Sequence, residues 1–354
     1  MTHMETDIQN LLRPNIARLE PYSSARNEFK GEASVFLDAN ENPLNPPYNR
    51  YPDPLQRQVK EAISDLKGVA PEHIFLGVGS DEPIDLLFRA FCRPGVDNVV
   101  AIAPTYGMYR VCADINDVEY RSVLLEDDFD FRPGKVLAAA DENTKLIFFC
   151  SPNNPAGNAL SADRIIEVLD RFGGIVVVDE AYIDFSSQPS FLHRLPQYPR
   201  LVVLQTFSKA WGSAAVRLGM AFASTGIVDV FNKIKYPYNI NQLTQEYALS
   251  LLSRHGEVRQ WVQQLVAERE QLARRLAGYG FVRRVYPSDA NFLLVRTDDA
   301  RRLYDFLVDR GIIVRNRDSV TLCEGCVRIT VGTPAENRVL LEALDAYAGP
   351  IQKQ

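Results

Sequence analysis

Three continuously apolar runs, Leu146 to Cys150, Ile175 to Val178 and Leu201 to Leu204, constrain this chain more than any other feature. Short runs that are apolar at every position suit strands buried on both faces, as in a parallel sheet covered by helices. Between the first two, Ser161 caps a stretch to Arg171 whose Ile165, Ile166, Val168 and Leu169 mark one helical face, which reads as a crossover helix. The alternation begins earlier. Asp53 to Lys67 reads as a helix stopped by Gly68, His73 to Val78 as a strand, Asp81 to Cys92 as a helix and Asn98 to Ala103 as a strand. A doubly wound α/β domain over residues 36–236, its mostly parallel sheet flanked by helices, is the expectation.

After Tyr236-Pro237-Tyr238 the texture changes. Val258, Trp261, Val262, Leu265, Val266, Leu272 and Leu276 follow one face of a long helix ended by Gly278 and Gly280. Asn291 to Arg296, Ile312 to Val314 and Val327 to Val331 read as strands, separated by helices near Ala300 to Arg310 and Ala335 to Tyr347. Residues 237–354 are expected to form a smaller α+β domain. Residues 1–35 lack a core of their own and are expected to pack as an arm on the main body.

Composition removes several function classes. With 39 basic and 45 acidic residues in 354, the net charge of -6 argues against a nucleic-acid partner. No apolar stretch is long enough to span a bilayer, and Met1 to Asn10 lacks a signal peptide's apolar core, so a cytoplasmic protein is expected. Cys92, Cys112 and Cys150 are isolated among apolar residues, and the Cys323-Glu-Gly-Cys326 pair has no second cluster to complete a zinc site. No metal is expected.

Ligands of α/β sheets bind beyond the carboxyl ends of the strands. Ser151-Pro152-Asn153-Asn154-Pro155-Ala156-Gly157 follows one apolar run, Asp179-Glu180-Ala181-Tyr182 the next, and Thr206-Phe207-Ser208-Lys209-Ala210 the third, with Arg217 beyond it. Gly79-Ser80-Asp81-Glu82 opens a helix after an earlier strand. A lysine beside an apolar strand end is the kind of amine that bonds an aldehyde. A carboxylate ending a buried strand is costly unless it faces a cation, and a protonated pyridine nitrogen is one. Asn154 and Tyr182 suit that ring's phenolic oxygen. Ser80 and Asp81 amides, Ser208 and Arg217 suit a phosphate, and Tyr106 suits the ring face. Together they describe a pyridoxal 5'-phosphate site. The rival, a nicotinamide dehydrogenase, fails because the third glycine after Gly77-Val78-Gly79 is replaced by Glu82.

Ser-Pro-Asn-Asn-Pro-x-Gly, Asp-Glu-Ala-Tyr and Ser-Lys-Ala…Arg-Leu-Gly resemble the signature of fold-type I pyridoxal phosphate aminotransferases. Pro21 to Arg26, Leu37 to Pro43, Tyr51-Pro52-Asp53, Val314-Arg315-Asn316-Arg317 and Val327-Arg328-Ile329 narrow the resemblance to the histidinol-phosphate aminotransferase family, over nearly the whole chain. The resemblance implies that Lys209 holds the cofactor and moves protons, with Asp179 and Tyr182 beside it in the catalytic set. It implies a homodimer in which Tyr51 reaches the cofactor phosphate of the neighbouring subunit. It assigns Tyr22, Arg315 and Arg328 to the substrate's anionic end; a solvated strand edge is the bland alternative for Arg315 and the expected reading of Arg317. Ala156 in place of Thr and Ser213-Ala214-Ala215-Val216 before Arg217 depart from the family pattern at positions without chemistry. The implied reaction exchanges an amino group between L-histidinol phosphate and 2-oxoglutarate, giving imidazole-acetol phosphate and L-glutamate in histidine biosynthesis. An aromatic amino-acid aminotransferase or an amino-acid-phosphate decarboxylase of the same fold is the alternative.

Overall fold

The computed structural model describes residues 8–22 and 34–349. Its larger sheet has seven strands: β1 (Ile74–Val78), β2 (Asn98–Ala103), β3 (Glu119–Leu124), β4 (Thr144–Cys150), β5 (Ile175–Asp179), β6 (Leu201–Thr206) and β7 (Leu218–Phe222), in the order β1-β7-β6-β5-β4-β2-β3. β3, β2, β4, β5 and β6 run parallel, while β7 is antiparallel to both neighbours.

The apolar runs do what their pattern requires. Ile147, Phe149, Val176, Val178, Leu201 and Val203 enter one core, while Leu146, Phe148, Cys150, Ile175, Val177, Val202 and Leu204 enter another on the opposite face. Side chains alternate across a strand, so only a run without polar interruptions can feed two cores. Each such burial contributes about 1.5–3 kcal/mol relative to exposure, so the strands form a stiff platform. Helices α1 (Arg57–Lys67), α2 (Asp81–Phe91), α3 (Met108–Ile115), α4 (Pro133–Ala139), α5 (Ala162–Arg171) and α6 (Thr225–Ile234) accompany this sheet. The Ser161 hydroxyl caps α5 by accepting from the Arg164 amide, as its position predicts. In the amino-terminal arm, Ile8 and Leu12 join the second core, and the Arg13 amide donates to the Ala90 carbonyl. Ser23 to Arg26, part of the family-like stretch, lie outside the described residues.

Two boundaries differ from expectation. The helix expected from Asp53 begins at Arg57: the Asp53 carboxylate accepts from the Arg57 amide at 2.7 Å, and Gln56 just before the helix stands at φ 51°, outside helical backbone. Residues 312–314 are not a strand: the chain leaves α9 (Ala300–Val308) through Gly311 at φ 72°, and pairing begins only at Arg315. Ile313 is accordingly exposed.

The smaller sheet is antiparallel throughout, in the order β10 (Arg315–Asn316), β11 (Cys326–Thr330), β9 (Phe292–Thr297), β8 (Val282–Val285). Helix α7 (Gln242–Leu252) packs on α1, and the long α8 (His255–Ala277) bridges the two sheets. Its Val258, Val262, Leu265 and Val266 lie against the larger core, whereas Leu272 and Leu276 enter the smaller sheet's core. The closing helix α10 (Pro334–Ala348) starts with a capping box between Thr333 and Glu336.

Candidate active site

The parallel strands point their carboxyl ends at one rim, and β7, running the other way, brings its beginning there. Arg217, which immediately precedes β7, therefore joins the residues that follow β1, β4, β5 and β6. The rim opens into a cavity of about 800 Å³. Ser80, Asp81, Tyr106, Asn154, Asp179, Tyr182, Ser208, Lys209, Arg217, Arg315 and Arg328 all line it, so eleven of the residues singled out from the sequence meet in one place. Tyr22 and Tyr51 do not line it. Both are exposed, Tyr22 by 72% and Tyr51 by 51%, and Tyr51 stacks on Tyr238 with ring centroids 4.4 Å apart.

The floor of the cavity is buried and charged. Asp179 ends β5 and is 2% exposed. Its Oδ2 accepts from the Tyr109 hydroxyl at 2.7 Å and its Oδ1 from the Ala181 amide at 3.1 Å. Burial pushes its pKa up to about 6 despite these bonds, the sign of a carboxylate short of a counter-charge. Tyr109, which supports Asp179 from behind the cavity lining, was missed by sequence reading. It sits inside α3, fully buried, with its ring stacked on Phe148 at 4.7 Å and edge-on to Tyr106. No strand-end motif marks it.

Asp179 and Glu180 are adjacent carboxylates with separate tasks. Glu180 accepts from the Ser190 hydroxyl, the Phe191 amide and the Gln205 side chain at 2.5–2.9 Å, which fastens a loop to β6. It does not line the cavity. Lys209 does, and its amine is drawn below the usual lysine pKa, first by burial and then by the nearby Arg328 charge. The Tyr182 ring lies 5.6 Å from Nζ. Asn153 holds the loops after β2 and β4 together, donating to the Pro104 carbonyl at 2.9 Å and accepting from the Thr105 hydroxyl at 3.1 Å.

The turn after β1 has the build of an anion cup. Ser80 precedes the first turn of α2, where free amides and the helix dipole favour negative charge. Ser208 accepts from Arg217 at 3.4 Å, and Arg217 also meets Asp81 at 3.4 Å. Two glycines make the cup possible. A Cβ at Gly219 would stand 2.2 Å from the Ser80 nitrogen, so only glycine lets β7 pass beneath the turn. Gly79 has φ 69°, and a Cβ there would stand 2.6 Å from an Arg217 nitrogen.

The upper wall comes from the smaller sheet. Arg315 and Arg328 are cross-strand partners in the β10–β11 ladder, and Arg317 lines the same cavity. That corrects the reading of Arg317 as a solvated edge: it is only partly exposed, and its Nε is buried without a hydrogen-bond partner. Burial, then Arg328 and Arg315, lower its pKa to about 10. Arg328 is lowered too, mainly by burial, and donates to the Asn154 side-chain oxygen across the two sheets.

A lysine, a buried carboxylate and an anion cup at the strand ends of this sheet define a group-transfer site for an amine and an anionic cofactor. The chain belongs to the aminotransferase class I and II family, whose model matches residues 25–344. It is 62% identical over 341 residues to the histidinol-phosphate aminotransferase of Bacteroides fragilis, covering 96% of this chain and 99% of that protein. It is 60% identical to the protein of that name from Bacteroides thetaiotaomicron, covering 97% of this chain and 99% of its relative. The Sinorhizobium meliloti histidinol-phosphate aminotransferase, solved in complex with pyridoxal-5'-phosphate, matches with a TM-score of 0.78 and 25% identity, over 88% of this chain and 89% of that one.

Proposed function

We propose that the chain is a pyridoxal 5'-phosphate-dependent transaminase of histidine biosynthesis. It exchanges the amino group of L-histidinol phosphate for the oxygen of 2-oxoglutarate, giving imidazole-acetol phosphate and L-glutamate. The observation that carries this reading is a single cavity with a buried carboxylate and a partly desolvated lysine below, and guanidinium groups above that no carboxylate among the described residues neutralises. The first layout suits the cofactor; the second suits substrates that end in phosphate or carboxylate.

The residues fit the cofactor. Asp179, short of a counter-charge, would face the pyridine nitrogen. Asn154 and Tyr182 would hold the phenolic oxygen, and burial keeps the Tyr182 phenol protonated. The Ser80 and Asp81 amides, Ser208 and Arg217 would hold the phosphate, and Tyr106 would lie on the ring face. When bound, pyridoxal phosphate supplies an electron-poor ring that accepts the electron pair released at the substrate carbon.

Lys209 does the proton work. Its lowered pKa enlarges the neutral fraction near pH 7, so the amine can take the proton from the amine-bearing carbon and return one later. Asp179 keeps a negative charge beneath the reacting group, and Tyr109 keeps that carboxylate ionised and correctly turned. Arg328 and Arg315 present planar forks to the far anion, which either phosphate or carboxylate can accept.

Tyr51 is exposed outside its own cavity, which supports a homodimer in which each subunit lends Tyr51 to its neighbour, while Tyr22 is assigned to the substrate's anionic end. Mixing Lys209→Ala with Tyr51→Ala subunits tests this, since hybrid dimers should regain activity that neither parent has. No helix among the described residues is long and apolar enough to cross a membrane; we place the enzyme in the cytoplasm. The reaction itself is tested by mixing holoenzyme singly with histidinol phosphate, glutamate, phenylalanine, tyrosine and threonine phosphate while following the cofactor spectrum. Fast conversion by the first two supports the assignment. Carbon dioxide release from threonine phosphate, or a preference for the aromatic amino acids, overturns it.

A further inference from the structure

Arg317 is the one cation of the upper wall that the proposed reaction has not used. Three features distinguish it from an incidental edge residue. It lines the cavity together with Arg315 and Arg328. Its Nε is buried and unpartnered, although a buried polar group without a partner costs about 1–3 kcal/mol. Among the described residues none of the three arginines forms an ion pair, and Arg328 alone has side-chain partners, the neutral Asn154 and the Phe292 ring. The fold thus gathers like charges on one wall, lowers the pKa of two of them, and offers no acid in return. Such an arrangement persists when a ligand supplies the missing charge.

Two arginines are enough for a carboxylate, which carries one negative charge and accepts one bidentate fork. A phosphate monoester carries about -1.5 to -2 at pH 7 and has three acceptor oxygens. We propose that Arg317 is a specificity-determining residue, the third guanidinium of a wall that reads a phosphate monoester in preference to a carboxylate. Arg315 and Arg328 serve both substrates of the exchange; Arg317 separates them by charge. The inference rests on the proposed transamination for its choice of substrates, and it adds which residue tells the two apart.

The experiment uses holoenzyme and two ligands that cannot react, n-propyl phosphate and glutarate, with binding followed by calorimetry. Arg317→Gln should weaken n-propyl phosphate relative to glutarate by about tenfold, the size of one charged hydrogen bond. Arg317→Lys keeps the charge and should restore most of that ratio. In wild type, affinity for n-propyl phosphate should rise through pH 6 as the second proton leaves the ester, and the rise should be shallower in Arg317→Gln. Equal weakening of both ligands, an unchanged ratio, or no recovery by lysine would overturn the proposal. Because neither ligand turns over, these outcomes are independent of the half-reaction screen. Wild type that ignores histidinol phosphate sinks the reaction, whereas an indifferent Arg317→Gln sinks only the third guanidinium.

Discussion

The floor and the upper wall of the cavity handle charge in opposite ways. On the floor, Asp179 has Tyr109 and the Ala181 amide, Arg217 has Asp81 and Ser208, and the Lys209 amine stands 5.6 Å from the Tyr182 ring. On the wall, three guanidiniums face the cavity with a single neutral amide between them. The floor is built on strands that feed two apolar cores, and the wall on a two-residue ladder at the edge of a small sheet. On the proposed reading, chemistry that recurs unchanged in every turnover falls to the rigid part, and recognition of two different substrates falls to the part whose charge is completed only by what enters.

That contrast can be broken, beginning with its strongest element. Lys209→Ala should lower turnover by at least about 10⁴-fold, since general acid–base work alone is worth up to that. It should also remove the visible absorbance of the holoenzyme. Transamination retained in that variant would refute the assignment of the floor. Arg328→Ala should cost about ten- to a hundredfold in kcat/KM for histidinol phosphate and glutamate alike, one to two charged hydrogen bonds. Cofactor affinity should change far less. If the cofactor alone is lost, the wall belongs to the cofactor and the division collapses. The smallest effect sharpens the picture. Tyr109→Phe removes a bond that favours ionised Asp179, so the carboxyl pKa should rise above about 6. Cofactor affinity should then fall about three- to tenfold at pH 7. Its acid limb, where Asp179 takes up a proton as the pH drops, should move to higher pH. Titrating apoenzyme with cofactor between pH 5 and 8 measures both.

Much of the floor was legible because its residues follow strands that announce themselves. Asn154, Asp179, Tyr182, Ser208 and Lys209 are read by walking past the end of an apolar run. Tyr109 was not legible, because it approaches Asp179 from within a helix and touches it only through tertiary packing. The platform strands were read within two residues, but β3 carries polar side chains on an edge and β7 is interrupted by Gly219, so neither has a continuous apolar pattern. Residues 312–314 show the reverse error. They have strand-like side chains without a partner, and pairing requires a partner. Arg317 was misjudged for a related reason: nothing in Arg-Asn-Arg tells which arginine is desolvated, and that depends on how β10 meets β11.

The ladder between β10 and β11 is short, but β11 is held on its other side by five register pairs with β9, including Arg328 opposite Leu294. Side chains reverse face at each step along a strand, so a slip of one position would turn Arg328 away from the cavity while leaving the floor untouched. An engineer wishing to give this catalyst a new clientele therefore has a small address label to rewrite, a few positions on one hairpin. The motor behind it can stay as it is.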